Sequence, residues 1–159
     1  MITGFEDVRK ARPIAENIND AKRLAPYIEE AETLWLKPII GAKLYREIEA
    51  DKPSFSDLIN GVLYDNDTKD FPGLGITMGY LSFSRFVRNQ NVNITAFGVV
   101  IKRGDLSEPA EDKTIVRIAN DAEKIGLEYL DQCIEYMRYK GYINRCNTVR
   151  RIRKFKPIG

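Results

Sequence analysis

The chain has 159 residues, 43% hydrophobic and 30% charged, enough for one globular domain whose core needs no disulfide or metal to hold it. Two cysteines are too few for a secreted disulfide scaffold, and the lack of histidine removes the commonest general base, the Ser-His and Cys-His nucleophile pairs and the most frequent metal ligand. Net charge is +2, yet eight of the 25 basic residues lie from Arg138 onward, where there is no Asp or Glu, so an acidic body carries a basic arm.

Residues 1–12 are polar apart from Ile2, Phe5 and Val8 and read as a loosely held N-terminal arm ending at Pro13. Asn19-Asp20 offers a helix cap, after which Leu24, Ile28, Ala31 and Trp35 repeat at helical spacing, and Pro26 places the start of the regular helix there. Lys37-Pro38 breaks the pattern. A second helix is expected from Pro38 to about Ala50, burying Ile40, Leu44 and Ile48, with Gly41 permitting close approach of a neighbour. Asp51-Lys52-Pro53 ends it, and Ser54 or Ser56 caps a short helix from about Phe55 to Leu63. The polar stretch Tyr64 to Gly73 carries Asp65, Asp67 and Asp70. It lacks the glycine at position six and the glutamate at position twelve of an EF-hand loop, so it reads as a solvated turn.

Gly73 to Lys102 is the most apolar region. Ile76, Tyr80, Phe83 and Val87 fall on one helical stripe that Met78, Leu81 and Phe86 widen, which predicts a buried central helix. Gly73-Leu74-Gly75 is followed by neither a P-loop lysine nor the third glycine of a dinucleotide fingerprint, and is best explained as the entry to that helix. Ile94 to Lys102 is rich in β-formers and predicts one small β-hairpin near 94–102, turning near Gly98. A hairpin this small buries no core alone, so Thr95, Phe97, Gly98 and Val99 are expected at a subunit boundary. Arg103 to Pro109 is a connection, and its Arg-Gly-Asp triplet is too short to carry meaning. From Pro109 the longest helix is expected to run to about Lys140, with Ile115, Ile118, Ala122, Ile125, Tyr129, Cys133 and Tyr136 spaced by three and four, leaving at Gly141. The tail places Arg145, Arg150, Arg151, Arg153, Lys154 and Lys156 beside Tyr142 and Phe155, a composition suited to phosphates or to an acidic protein surface.

The fold class is therefore all-α: a bundle of four to five helices with one small hairpin and a basic C-terminal arm. Its organisation is an N-terminal arm (1–12), one helical domain (13–141) and the arm (142–159). Glu128, Asp131 and Glu135 share a helix face, but a carboxylate di-metal bundle also needs Glu-x-x-His pairs. With the spaced pairs Arg117/Asp121, Lys124/Glu128 and Glu135/Arg138 they read as a solvated charged face. Ser82 and Ser84 have no candidate base, and Cys133 and Cys146 read as reduced thiols. No catalytic residue, cofactor or metal is expected, and the protein is not expected to be an enzyme.

The segments AKRLAPYIEEAETLWLKPIIGAKLYREI, LINGVLYDN, FPGLGITMGYLSFSRFVRNQNVNITAFGVVIK and the long helix ending YLDQCIEYMR resemble an uncharacterised family found in prophages of gut bacteria. That family is similar to the head-tail connector, or head-completion, proteins of tailed bacteriophages. The resemblance covers about residues 14 to 140, and its markers are Pro38 to Gly41 with Leu44-Tyr45, Gly73-Leu74, and Thr95 with Phe97-Gly98-Val99. It implies a non-enzymatic structural subunit that forms a homo-oligomeric ring on the portal protein and meets tail or neighbouring connector proteins. Such a subunit is expected in the bacterial cytoplasm during assembly and then in the virion, with no membrane partner. The residues themselves also support an alternative, a helical nucleic-acid-binding module making non-specific DNA contact through the basic arm.

Overall fold

The apolar run from Leu74 forms the axis of a helical fold. The computed structural model describes residues 1–12, 20–89, 92–95, 98–101 and 112–143. In chain order the elements are α1 (Phe5–Ala11), α2 (Asp20–Ala31), a π turn (Glu32–Leu36), α3 (Lys37–Ala50), a 3-10 turn (Lys52–Phe55), α4 (Ser56–Asn60), α5 (Leu74–Asn89), the strands β1 (Val92–Thr95) and β2 (Gly98–Ile101), and α6 (Asp112–Tyr139). The all-α class holds.

Helix α5 touches α1, α2, α4 and α6, and so has almost no solvent face. Its first half, with Leu74, Met78 and Leu81, joins Ile48, Leu58, Leu130 and Met137 in one apolar cluster. Its second half, with Phe83, Phe86 and Val87, joins Val8, Leu24, Ile28 and Ala122 in another. Because neighbours surround it, the buried set is centred on Thr77, Met78, Leu81 and Ser82, while Ile76 and Tyr80 of the expected stripe are only half-buried. Gly73 precedes the first residue of α5, as expected of a helix entry.

Several expectations need correction. Residues 1–12 are no loose arm: Phe5–Ala11 is helical, and Ile2 and Val8 are buried. A seven-residue helix has little stability of its own and forms because it packs. Its partner is Gly79 of α5, where an added Cβ would stand 2.4 Å from the Asp7 carbonyl oxygen. Helix α2 begins at Asp20 rather than Pro26, and the proline is accommodated inside it between the fully buried Leu24 and Ile28. Lys37-Pro38 is no break either. The chain runs from α2 through the π turn into α3, with Pro38 as the second residue of α3.

The interruption comes at Gly41, whose φ of 76° and ψ of 161° belong to a region that essentially only glycine occupies. Nothing lies within 4 Å of a Cβ added there, so Gly41 serves backbone conformation and not the close approach expected of it. The expected helix from Phe55 to Leu63 is a 3-10 turn followed by the short α4, and Gly61 at φ 85° ends it. Gly61 and Gly73 then meet back to back: a Cβ on Gly73 would fall 2.4 Å from the Gly61 nitrogen. That contact turns the chain into α5.

Strands β1 and β2 pair antiparallel, Val92 with Ile101 and Thr95 with Gly98. The chain thus reverses next to Gly98, which opens the second strand, and Ala96 and Phe97 lie outside the described residues. Two strands of four residues leave the fold helical. In α6 the buried residues are Ala119, Ala122, Gly126, Leu130, Cys133, Ile134, Tyr136 and Met137, so Ala122, Cys133 and Tyr136 of the expected stripe are buried, Ile115, Ile125 and Tyr129 are half-buried and Ile118 is exposed. The face departs from the expected one at Ile118 because the seam with α5 is built from small residues, with Gly126 against the Leu81 side chain. Helix α6 ends as expected: Gly141 at φ 75° lets its own N–H donate to the Arg138 carbonyl and the Tyr142 N–H to that of Met137, a Schellman motif. Among the described residues no helix is long and apolar enough to cross a membrane.

Candidate functional site

Two features concentrate unusual chemistry, one buried and one on the surface. The buried one is Glu32, in the π turn, fully enclosed and unmarked by any pattern in the sequence. Its Oε1 accepts the backbone N–H groups of Ile2 and Thr3, each at 2.8 Å, and its Oε2 accepts the Tyr45 hydroxyl at 2.6 Å. Lys52 donates to the Ile2 carbonyl at 3.1 Å, and the Met1 ammonium pairs with Glu49. Burial first, and then the Glu32 carboxylate, push the Tyr45 phenol above its ordinary range. Two of the three hydrogen bonds of this carboxylate thus tie the N-terminal segment to the α2–α3 junction, and the third ties that junction to α3. It is a clasp, and nothing in it is poised to react.

The surface feature lies at the C-terminal end of α6. Tyr136 stacks on Phe71 at 4.0 Å between ring centroids, and Tyr64 meets Tyr136 edge-on at 5.2 Å. Tyr139 extends the cluster outward at 5.2 Å from Tyr64, and Tyr142 contacts Phe55 at 5.6 Å. Tyr139 is 57% exposed and Tyr142 36%, and Leu63, next in the chain to Tyr64, is 57% exposed as well. Beside them is the acidic turn. Asp65, Asn66 and Asp67 take positive φ, which Asn and Asp tolerate best, and the Tyr64–Lys69 backbone pair closes the turn. Lys69 reaches Glu135 at 2.6 Å, which raises the lysine pKa.

The opposite end of α6 also exposes apolar side chains, on different faces of the helix. Val116 and Ile118 are exposed there, and Arg12, Phe83, Arg117, Ile118 and Asp121 line an open groove of about 410 Å³. From Ile118 to Tyr139 the helix rises roughly 30 Å at about 1.5 Å per residue.

The residues singled out from sequence distribute as follows. Arg145, Arg150, Arg151, Arg153, Lys154, Lys156 and Cys146 lie outside the described residues, as do Phe97 and the Arg-Gly-Asp connection. Thr95 and Gly98 face each other in the strand register, and Val99 pairs with Ile94. Glu135 is engaged by Lys69, where the sequence pointed to Arg138, and Glu128 sits 4.0 Å from Lys124 as the spacing predicts. Ser82 donates to the Met78 carbonyl at 2.6 Å, whereas the buried Ser84 hydroxyl has no partner among the described residues. Cys133 is a free, buried thiol 3.3 Å from the Thr77 hydroxyl, and burial pushes its pKa up to about 12. A thiol so held is no nucleophile at neutral pH. The exposed Leu63 and Tyr139 were missed, and no periodic signal marked them, since Tyr139 stands at helical spacing from the buried Tyr136.

A model of a family of unknown function, DUF6712, matches residues 36–152, a span that takes in α3 through α6. Neither a curated protein nor a solved structure matches the chain.

Proposed function

The chain belongs to DUF6712, and we propose that within that family it is a non-enzymatic phage structural protein, a head-tail connector subunit that assembles as a ring on the portal. The observation that carries this reading is that large apolar side chains stay exposed toward both ends of α6, Tyr139 and Tyr142 at one and Val116 and Ile118 at the other. A ring joins each copy to the next through two different patches, whereas a two-fold dimer uses one patch twice. The resemblance to prophage proteins supplies the identity of the ring. Its markers fall at structural joints, Gly41 within α3 and Gly73-Leu74 at the entry to α5. In this reading Thr95, Phe97, Gly98 and Val99 contact the neighbouring subunit. The basic arm lies on a neighbour or on the portal, and the protein passes from the bacterial cytoplasm into the virion. The test is to mix the chain with portal rings encoded by the same prophage and image the product. An added ring of density on the portal is expected. Absence of binding, with a gene lying among metabolic rather than portal and capsid genes, would end the proposal.

A second reading rests on one specific observation, the run of basic residues from Arg138 onward without a single carboxylate. It makes the chain a nucleic-acid-binding module. A salt titration with duplex DNA should then give a steep inverse dependence that flattens when Arg150, Arg151, Arg153, Lys154 and Lys156 are replaced by Gln. No binding at low salt removes this reading.

A further inference from the structure

We infer that the basic C-terminal arm, residues 144–159, docks on the aromatic and acidic surface at the end of its own chain's α6. Three observations converge. The surface is unpartnered among the described residues, with Leu63, Tyr139 and Tyr142 open to solvent over a cluster whose inner members, Phe71 and Tyr136, are buried. Its rim is acidic. Asp65, Asp67 and Asp70 stand on the adjoining turn, and of the nearby cations Lys69 is engaged with Glu135 and Lys140 lies over the Tyr136 ring at 5.7 Å. The arm has the matching composition: Val149, Ile152 and Phe155 recur every third residue among Arg150, Arg151, Arg153, Lys154 and Lys156. The arm therefore offers apolar side chains for the aromatic patch and cations for the carboxylates.

The place where the described chain ends selects this occupant over others. Ile143 is buried at the end of α6, beside Tyr142, so the arm starts at the rim of the surface it would cover. From there to Arg150 an extended chain spans up to roughly 23 Å. The acidic turn is much nearer, because Lys69 touches Glu135, only one helical turn, about 6 Å, before Tyr139. A segment tethered this closely has an effective concentration on the order of millimolar, well above that of a second copy at micromolar protein. The same composition also binds phosphates, so nucleic acid competes with this docking and does not require it.

Zero-length carbodiimide coupling of the full chain, followed by mass spectrometry, tests the inference independently of any portal. A mixture of unlabelled and uniformly ¹⁵N-labelled chains identifies which molecule each partner comes from. Amide links from Lys154 or Lys156 to Asp65, Asp67 or Asp70 are expected within single chains. Their yield should fall about tenfold in 1 M salt, where the screening length shrinks to about 3 Å. The link between Lys69 and Glu135, already in contact at 2.6 Å, reports that the fold is intact. The double substitution L63S/Y139S should cut the arm-to-turn links severalfold while leaving the Lys69–Glu135 link unchanged. Links found only between labelled and unlabelled chains would assign the surface to a second copy and overturn the inference. Its failure would equally follow from arm lysines linked only to other carboxylates, or from an unchanged yield in L63S/Y139S.

Discussion

Glu32 shows how one side chain decides whether a terminal segment belongs to the fold. It spends both oxygens on three donors, and removing it leaves the Ile2 and Thr3 amides buried without acceptors. Glu32→Gln keeps the shape and one carbonyl oxygen, so it should cost about 1–2 kcal/mol, whereas Glu32→Ala should cost about 3 kcal/mol or more. Urea denaturation reads the difference, and hydrogen exchange at Ile2 and Thr3 should rise in both variants. Cys133 supplies a prediction in pH. Burial raises its folded-state pKa to about 12, while in the unfolded chain the thiol ionises near 8.5. The unfolded state therefore loses its proton first, so the thiol's contribution is fully present below about pH 8.5 and is lost as pH rises toward the folded value. Tyr45, also raised, follows the same sign only above about pH 10, where unfolded tyrosines ionise. The fall in stability between about pH 8.5 and 10 should thus be shallower in Cys133→Ala, as followed by denaturation midpoints.

At the scale of elements, the seams of α5 depend on two glycines that differ in what they face. A Cβ on Gly79 would meet the backbone carbonyl of Asp7 at 2.4 Å, which cannot move without displacing α1, while one on Gly126 would meet Cγ of the fully buried Leu81 at 2.7 Å and its backbone nitrogen at 3.3 Å. Gly126→Ala should lose up to about 2 kcal/mol, because overpacking of about 1–3 kcal/mol outweighs the helix-propensity gain of about 1 kcal/mol. Gly79→Ala should lose about 1–3 kcal/mol or more, with exchange protection of Phe5–Ala11 lost first. These seams also explain what was legible in the sequence. The long amphipathic patterns of α2, α5 and α6 were readable because their periodicity is set by burial along many turns. Helix α1 was not, because its seven residues are helical only through Gly79, a contact 70 or so positions away in the chain. The face of α6 was read correctly at Ala122, Cys133 and Tyr136 but missed at Ala119 and Gly126, since hydrophobic spacing weighs Ile118 above both. The surface at the end of α6 was invisible for a related reason: nothing in a periodic pattern marks an apolar side chain that stays outside.

At the scale of the molecule, α6 is both scaffold and spacer. Its 28 residues run about 42 Å, longer than the core they support, and so they hold the exposed apolar side chains of its two ends apart. The described residues end at Ile143, beside only one of those ends, and this makes the two ends unequal. If the arm covers Leu63, Tyr139 and Tyr142, one of the two patches that head-to-tail association requires is closed until the arm leaves. Replacing Arg150, Arg151, Arg153, Lys154 and Lys156 with Gln removes the attraction to Asp65, Asp67 and Asp70 and opens that patch, without touching any residue of either apolar cluster. Thermal stability should therefore change by no more than about 0.5 kcal/mol, as is usual for substitutions remote from a core. Sedimentation velocity at rising protein concentration should show the five-Gln chain associating at lower concentration than the parent. Further Leu63→Ser and Tyr139→Ser substitutions should reverse that gain, because they remove the surface the departing arm would expose. An unchanged sedimentation profile in the five-Gln chain would mean that the arm does not govern access to this end of α6.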